Sequence, residues 1–248
     1  MYFTLCIPTM DRYDTFLIAY LIKYVANPLI NEIIITDENG NDIQKILESN
    51  IEKSKLKLYK NDNRLGPFLN KLRACNLATN EWIALIDSDN FADEEYFNIS
   101  YKYIKQLINP KYDIISPSFA KPVFDYRHLH NNIITKTSLK SLIDFDDKNR
   151  GVNAGLSTLM NTGNYILNNS LITEINLNNE INNIPYSSAC DVIYFNTLLF
   201  EQFDVKFHIL SGLEYEHVVH HGSIYTTTCN KYPQFNNYVY HRFANLYQ

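Results

Sequence analysis

Glycine and proline are scarce in this chain of 248 residues, at 7 and 8, which excludes a collagen-like repeat or a low-complexity tract. Cysteine is scarcer: Cys6, Cys75, Cys190 and Cys229 stand far apart with no C-x-x-C pair. That spacing is expected of free thiols in a reducing compartment, not of a disulfide frame or a zinc knuckle. No apolar run approaches the roughly 18 residues of a membrane helix, and the opening MYFTLCIPTMDR lacks the basic lead and cleavage site of a secretory signal. Nor does one charge dominate, because 22 basic and 27 acidic residues leave a net charge of −5. This is too balanced for an electrostatic nucleic-acid binder. What is present is apolar material for a core, 46% of the chain against 20% charged, and disorder is excluded by it. A cytoplasmic globular protein is expected, with no transmembrane segment and no nucleic-acid partner.

The first part of the chain alternates apolar runs with helical spacing. Strands are predicted at residues 2–7 (YFTLCI, ended by Pro8), 32–36 (EIIIT), 55–59 (KLKLY) and 81–86 (EWIALI), with helices at 16–24, 41–47 and 66–79. Strand and helix in alternation imply βαβ units and a mostly parallel sheet flanked by helices, whose ligands sit beyond the carboxyl ends of the strands. Polar clusters follow three of those strands: PTMDR, DENGND and DSDN. Farther on, a helix is expected over 96–107, a strand at 113–116, a loop-rich insertion over 120–150 and an apolar segment at 165–167. A helix opening on Asp191 and strands at 205–210 and 213–219 complete the pattern. With no repeat and no Pro/Ser-rich linker, residues 1–248 read as one domain.

The sharpest chemical feature is Asp87-Ser88-Asp89, directly after a buried strand. Two carboxylates on such a turn can meet a hard divalent cation and a ribose hydroxyl together, since Mg²⁺ and Mn²⁺ prefer oxygen ligands and bridge carboxylates to phosphates. The competing reading is a pair of acids capping the next helix near Ala92. Asp191 likewise admits two readings, a helix N-cap or a base that takes an acceptor proton.

Several segments in order resemble the GT-A fold nucleotide-sugar glycosyltransferases of the family 2 type. They are Cys6-Ile7-Pro8-Thr9-Met10-Asp11-Arg12, Ile33 to Gly40, Asn63-Arg64-Leu65-Gly66, and Asn80 through Asn90. The resemblance covers residues 2–95 and implies a Rossmann-like α/β fold with a nucleotide-sugar half at 1–95 and an acceptor-binding, catalytic half at 96–248. It implies that Pro8, Thr9 and Arg12 line the nucleotide pocket and that Asp37 meets the base edge, with Glu38 and Asn39 nearby. Asp87 would face ribose or metal, Ser88 would lie between, and Asp89 would be the direct ligand of Mn²⁺ or Mg²⁺. Asn70 and Lys71 would belong to the nucleotide-sugar site. Lys71 and Arg73 lie about 200° apart on a helix, and Lys71 is the one expected to face the diphosphate, against the alternative of a solvated helix face. Thr36-Asp37-Glu38 departs from the family pattern of a hydrophobic residue followed by two aspartates.

The resemblance also implies a late histidine in the metal shell. Three fall within EHVVHHGS, ranked His220, His221, His217; on a strand His217 and His221 would share one face and His220 the other. The alternative is that all three are structural. Asp191 would be the base of an inverting transfer, here preceded by Cys190 where the family has glutamate, and the stretch 151–163 (GVNAGLSTLMNTG) would be an acceptor-side loop. The implied activity is metal-dependent transfer of a hexose or pentose from a nucleoside-diphosphate sugar, UDP- or GDP-linked, to a glycan or other hydroxyl acceptor. A non-catalytic nucleotide- or glycan-binding module of the same fold is the alternative. A nucleotidyltransferase would open on a glycine-rich loop and a D-x-D phosphatase would place its acids after the first strand, and neither holds here.

Overall fold

The computed structural model describes residues 1–149, 156–177, 190–220, 223 and 230–248. One mixed, mostly parallel sheet organises them. Its first half is β1 (Phe3–Thr9), β2 (Ile30–Asp37), β3 (Leu56–Lys60) and β4 (Trp82–Leu85), all parallel in the order β3-β2-β1-β4. Every residue of β1 and β4 is buried, as expected of central strands covered on both faces, which read as continuous apolar runs. The crossovers are α1 (Ile18–Ala26), α2 (Asn41–Glu48) and α3 (Pro67–Asn76).

Strand β1 runs past Pro8 to Thr9, beyond the end predicted for it. Ile86 N–H donates to the Cys6 carbonyl at 3.1 Å, so Pro8, two residues on, faces the same side. There the pairing with β4 stops at Cys6, and no ladder bond is lost by the missing N–H.

The second half follows α4 (Glu94–Ile104). Strand β5 (Asp113–Lys121) carries the short β6 (Phe124–Asp125) at its end, and β7 (Ile133–Ile134) and α5 (Leu139–Asn149) come next. Of the loop-rich insertion expected over 120–150, the part up to residue 138 is turns with two short strands, whereas 139–149 is helix and residue 150 lies outside the described ones. Two-residue strands, β6 folded back on the end of β5 and β7 paired to distant β9, leave no periodicity to read. Helix α6 (Leu156–Thr162) occupies much of the glycine-bearing stretch, whose residues 151–155 lie outside the described ones. Strand β8 (Ile166–Asn168) runs antiparallel between β4 and β5, and α7 (Asn169–Glu174), α8 (Asp191–Gln202), β9 (Lys206–Glu216) and α9 (Pro233–Ala244) follow among the described residues. The two late strands expected separately are one, β9, parallel to β5 with a register shift opposite Gly212 (φ +76°). A left-handed glycine absorbs such a bulge without ending the strand. Strand β9 stops at Glu216, which leaves residues 217–220 free of strand periodicity. Among the described residues no helix is long and apolar enough to cross a membrane.

Candidate active site

The carboxyl ends of β1, β2 and β4 converge, and the three polar clusters lie there. After β4 the chain turns sharply, with Asn90 N–H donating to the Asp87 carbonyl at 3.0 Å. Neither Asp87 nor Asp89 caps the next helix. That position belongs to Asp93, whose carboxylate accepts the Tyr96 N–H at 3.0 Å, so both acids of the turn are available for chemistry. Their side chains are 26% and 19% exposed, and Ser88 between them is buried.

Asp89 faces two partners from distant parts of the chain. Its Oδ2 lies 3.0 Å from His220 Nε2 and 3.7 Å from Arg12 Nε. Phe16 packs on the His220 ring at 5.2 Å between centroids. Of the three candidate histidines, His220 reaches Asp89, while His217 accepts or donates at Tyr215 Oη (3.2 Å) and stands edge-on to Phe124. Burial lowers the His217 pKa, against the opposing pull of Asp87 and Asp89. His221 lies outside the described residues. The Asp89 carboxylate oxygen suits Mn²⁺ or Mg²⁺, and an imidazole nitrogen beside it suits Mn²⁺, the softer of the two. Among the described residues no group of three His, Cys, Asp or Glu side chains makes a preformed cage, so such an ion would draw its remaining oxygens from substrate phosphates and water.

Asp87 faces the other way. Lys71 Nζ, on α3, lies 3.1 Å from Asp87 Oδ1 and 2.9 Å from Asp191 Oδ2. The lysine thus ties the acidic turn to the start of α8, 120 residues farther along the chain than itself. Cys190 is the N-cap of α8 and Asp191 is its first helical residue, the Asp191 carboxylate accepting the Val192 N–H as well as the Lys71 ammonium. Burial pushes the Asp191 carboxyl above the ordinary carboxylate range; Lys71 offsets part of this and the Asp87 charge adds to it. For Lys71, burial opposes the charge, but Asp191 and Asp87 outweigh it and hold the ammonium protonated. Arg73 points elsewhere, donating to Asn61 Oδ1 at 2.7 Å, as the helical angle requires.

The remaining expected nucleotide-site residues shape the wall beside the acidic turn. Pro8 and Thr9 are buried at the end of β1. Asp37 is fully buried, accepting the Asn39 N–H at 3.2 Å and the Ile43 N–H at 3.0 Å. It acts on the loop through its backbone. Glu38 Oε2 accepts the Leu65 N–H at 2.8 Å, and burial raises its pKa. Asn39 donates to both Asp11 oxygens at 3.0 Å. Asn70 is buried, donating to the Thr36 carbonyl at 3.1 Å and accepting from Asn61 Nδ2 at 2.9 Å.

Three residues that matter here were missed in the sequence. Asp42, in the first turn of α2, accepts the Arg12 N–H at 3.0 Å, the Tyr13 N–H at 2.9 Å and the Thr9 hydroxyl. It fixes the turn between β1 and the single π turn at Tyr13–Leu17 that carries Arg12 and Phe16. Asn164 (φ +58°) accepts the Asp87 N–H at 2.8 Å, and its carbonyl accepts the Tyr96 hydroxyl at 2.6 Å. Asn90 Oδ1 accepts the Val218 N–H at 3.0 Å. A buried Asp in a first helical turn reads as a cap in any sequence, and only its partners show otherwise.

A parallel first half, an acidic turn after its fourth strand, and an antiparallel link to a second parallel pair define the GT-A type of α/β fold. The profile of the family described as glycosyl transferase family 2 matches residues 4–169, well over half of the chain, and the chain belongs to that family. An uncharacterised glycosyltransferase of Mycoplasma genitalium, MG060, is 29% identical over 111 residues, 43% of this chain and 34% of that protein. The chain therefore spans about a third of that relative's length. Among solved structures, residues 1–349 of S. aureus TarS in complex with UDP-GlcNAc superpose with a TM-score of 0.69 at 14% identity, covering 99% of this chain and 66% of that one. The UDP complex of the same protein gives 0.63 at 16% identity, with 99% and 65% covered.

Proposed function

We propose that this protein transfers a glycosyl group from a nucleoside-diphosphate sugar, UDP-linked, to a hydroxyl acceptor with inversion at the anomeric carbon. The observation that carries the reading is Lys71, whose Nζ joins Asp87 at 3.1 Å to Asp191 at 2.9 Å, so that the acidic turn and a buried, basic carboxylate make one site. Binding of UDP-GlcNAc by TarS, a protein of the same fold, supports a UDP-sugar as donor.

In this reading Pro8, Thr9, Arg12 and the loop of Asp37, Glu38 and Asn39 form the wall against which the nucleotide lies, with Asn70 bracing that loop. Asp89 and His220 would hold Mn²⁺ or Mg²⁺, with Asp87 beside them. When bound, the ion supplies positive charge to the leaving diphosphate. Asp191 takes the acceptor hydroxyl proton as that oxygen bonds to the anomeric carbon, and the bond from that carbon to the phosphate oxygen breaks with its electron pair leaving on the diphosphate. One displacement at one carbon inverts it. The raised pKa of Asp191 makes it a stronger base than a solvated carboxylate. Lys71 keeps Asp191 aimed and places a fixed cation near the developing negative charge.

The test is a thermal-shift panel of UDP-, GDP-, CMP- and dTDP-sugars with and without Mn²⁺. A UDP-sugar is expected to raise the melting temperature only with metal, and Asp89→Ala to abolish the shift. An equal shift without metal overturns the metal assignment, and no shift with any sugar nucleotide overturns the donor assignment.

A further inference from the structure

Asp89 and His220 are 131 residues apart in the chain, and His220 stands beyond the end of β9, where no ladder holds it. What fixes it begins at Phe91, which exchanges two backbone hydrogen bonds with Glu216 (2.9 and 2.8 Å) in an isolated antiparallel bridge. A continuing antiparallel ladder would next pair residue 89 with residue 218, and the carbonyl of 89 would accept the Val218 N–H. That bond is instead made by a side chain: Asn90 Oδ1 accepts from Val218 N at 3.0 Å. Asn90 is buried, 2% exposed, and its own N–H closes the turn onto the Asp87 carbonyl. Its amide therefore stands in for a main-chain carbonyl. The turn is free to swing the Asp89 carboxylate outward while the segment beyond β9 that carries His220 stays tied to it through Val218.

We propose that Asn90 is a positioning residue that sets the separation of Asp89 and His220 and hence the affinity of this pair for a divalent cation. The proposal rests on the metal reading above and adds to it the group that holds the two donors in place. Partners that orient metal ligands carry large effects without touching the ion. Val218 is two residues from His220, so releasing its N–H loosens the segment that leads from Glu216 to the histidine and leaves the imidazole to its contacts with Asp89 and the Phe16 ring.

Mn²⁺ binding to the full chain, followed by the free-ion signal in electron paramagnetic resonance with saturating UDP and a protein-free blank, tests this. Asn90→Ala is expected to weaken Mn²⁺ binding about 10-fold or more, with circular dichroism unchanged. Asn90→Asp keeps an acceptor for the Val218 N–H and is expected to bind within about threefold of wild type, on the rule that a retained hydrogen bond costs little. In a His220→Ala background the Asn90→Ala change is expected to add less than about twofold, because coupled residues are non-additive. Wild-type affinity in Asn90→Ala overturns the proposal. Equal loss in the Ala and Asp variants, or full additivity with His220→Ala, overturns it too, by assigning Asn90 a merely structural part. A wild-type chain that binds UDP but no Mn²⁺ overturns the metal reading, and the proposal with it, an outcome distinct from the others.

Discussion

Asp191 sits 3% exposed against a lysine that a second carboxylate shares, and its behaviour follows from that arrangement. Asp191→Asn keeps the shape and removes the proton acceptor. The expected result is a fall in kcat of about 10²–10⁴-fold with UDP affinity unchanged, read by steady-state transfer and by calorimetric titration of UDP. Because burial raises the Asp191 pKa, the active carboxylate form is lost as pH falls through that raised value. The acid limb of the rate profile is expected above the unperturbed aspartate pKa of about 3.9. Lys71→Met removes the cation that offsets the burial and leaves the Asp87 charge in place. The limb is then expected to move to higher pH, and removing one partner of a buried pair is expected to cost about 3 kcal/mol in urea unfolding. An unmoved limb would show that Asp191 is not the titrating base. At this scale the candidate acids were legible in the sequence, because D-x-D after a buried strand and an acid opening a helix are local patterns. Their partners were not: Lys71 and Asp191 meet through the packing of α3 against α8, which no local pattern encodes.

At the level of elements, the turn after β1 depends on α2. Asp42 is buried and accepts from two backbone amides and one hydroxyl at the entry to α1, satisfying donors that a helix start leaves open. Asp42→Ala strands those donors and is expected to destabilise the fold by about 2–3 kcal/mol, the range of charged buried hydrogen bonds. Arg12 and Phe16 should then lose their settings against Asp89 and His220, and UDP affinity should fall, by calorimetry, more than in a surface control such as Asn50→Ala. Strands β1 to β4 and helices α2 to α4 were readable from periodicity and punctuation. The short β6 and β7 and the continuity of β9 were not, since pairing decides them, β6 and β9 to β5 and β7 to β9, and Gly212 can mark a bulge or a break equally well in sequence.

Across the whole molecule, the first half supplies the acidic turn and Lys71, and α8 brings Asp191 to them, with α9 packed behind. Arg242 of α9 forks onto Glu201 of α8 at 2.8 and 2.6 Å, Phe235 packs on Tyr194 at 5.9 Å, and Val239 and Phe243 are buried. The ion pair is partly exposed and worth at most about 1 kcal/mol. The apolar contact is worth more: Phe243→Ala is expected to cost about 3 kcal/mol and, at about 2–4 °C per kcal/mol, to lower the thermal midpoint by roughly 10 °C in scanning calorimetry. The sequence by itself determined the alternation of β1 to β4 with their helices, the acidic turn beyond β4 and the family, because those rest on short-range periodicity and on motifs contiguous in the chain. Only the tertiary structure decided that His220, and not His217, stands on Asp89, and that Lys71 binds two acids. It also showed that Asp42, Asn90 and Asn164 hold the site's backbone in place. Each of these is a contact between residues far apart in sequence, set by sheet order and helix packing, and a string of residues carries no distance between them.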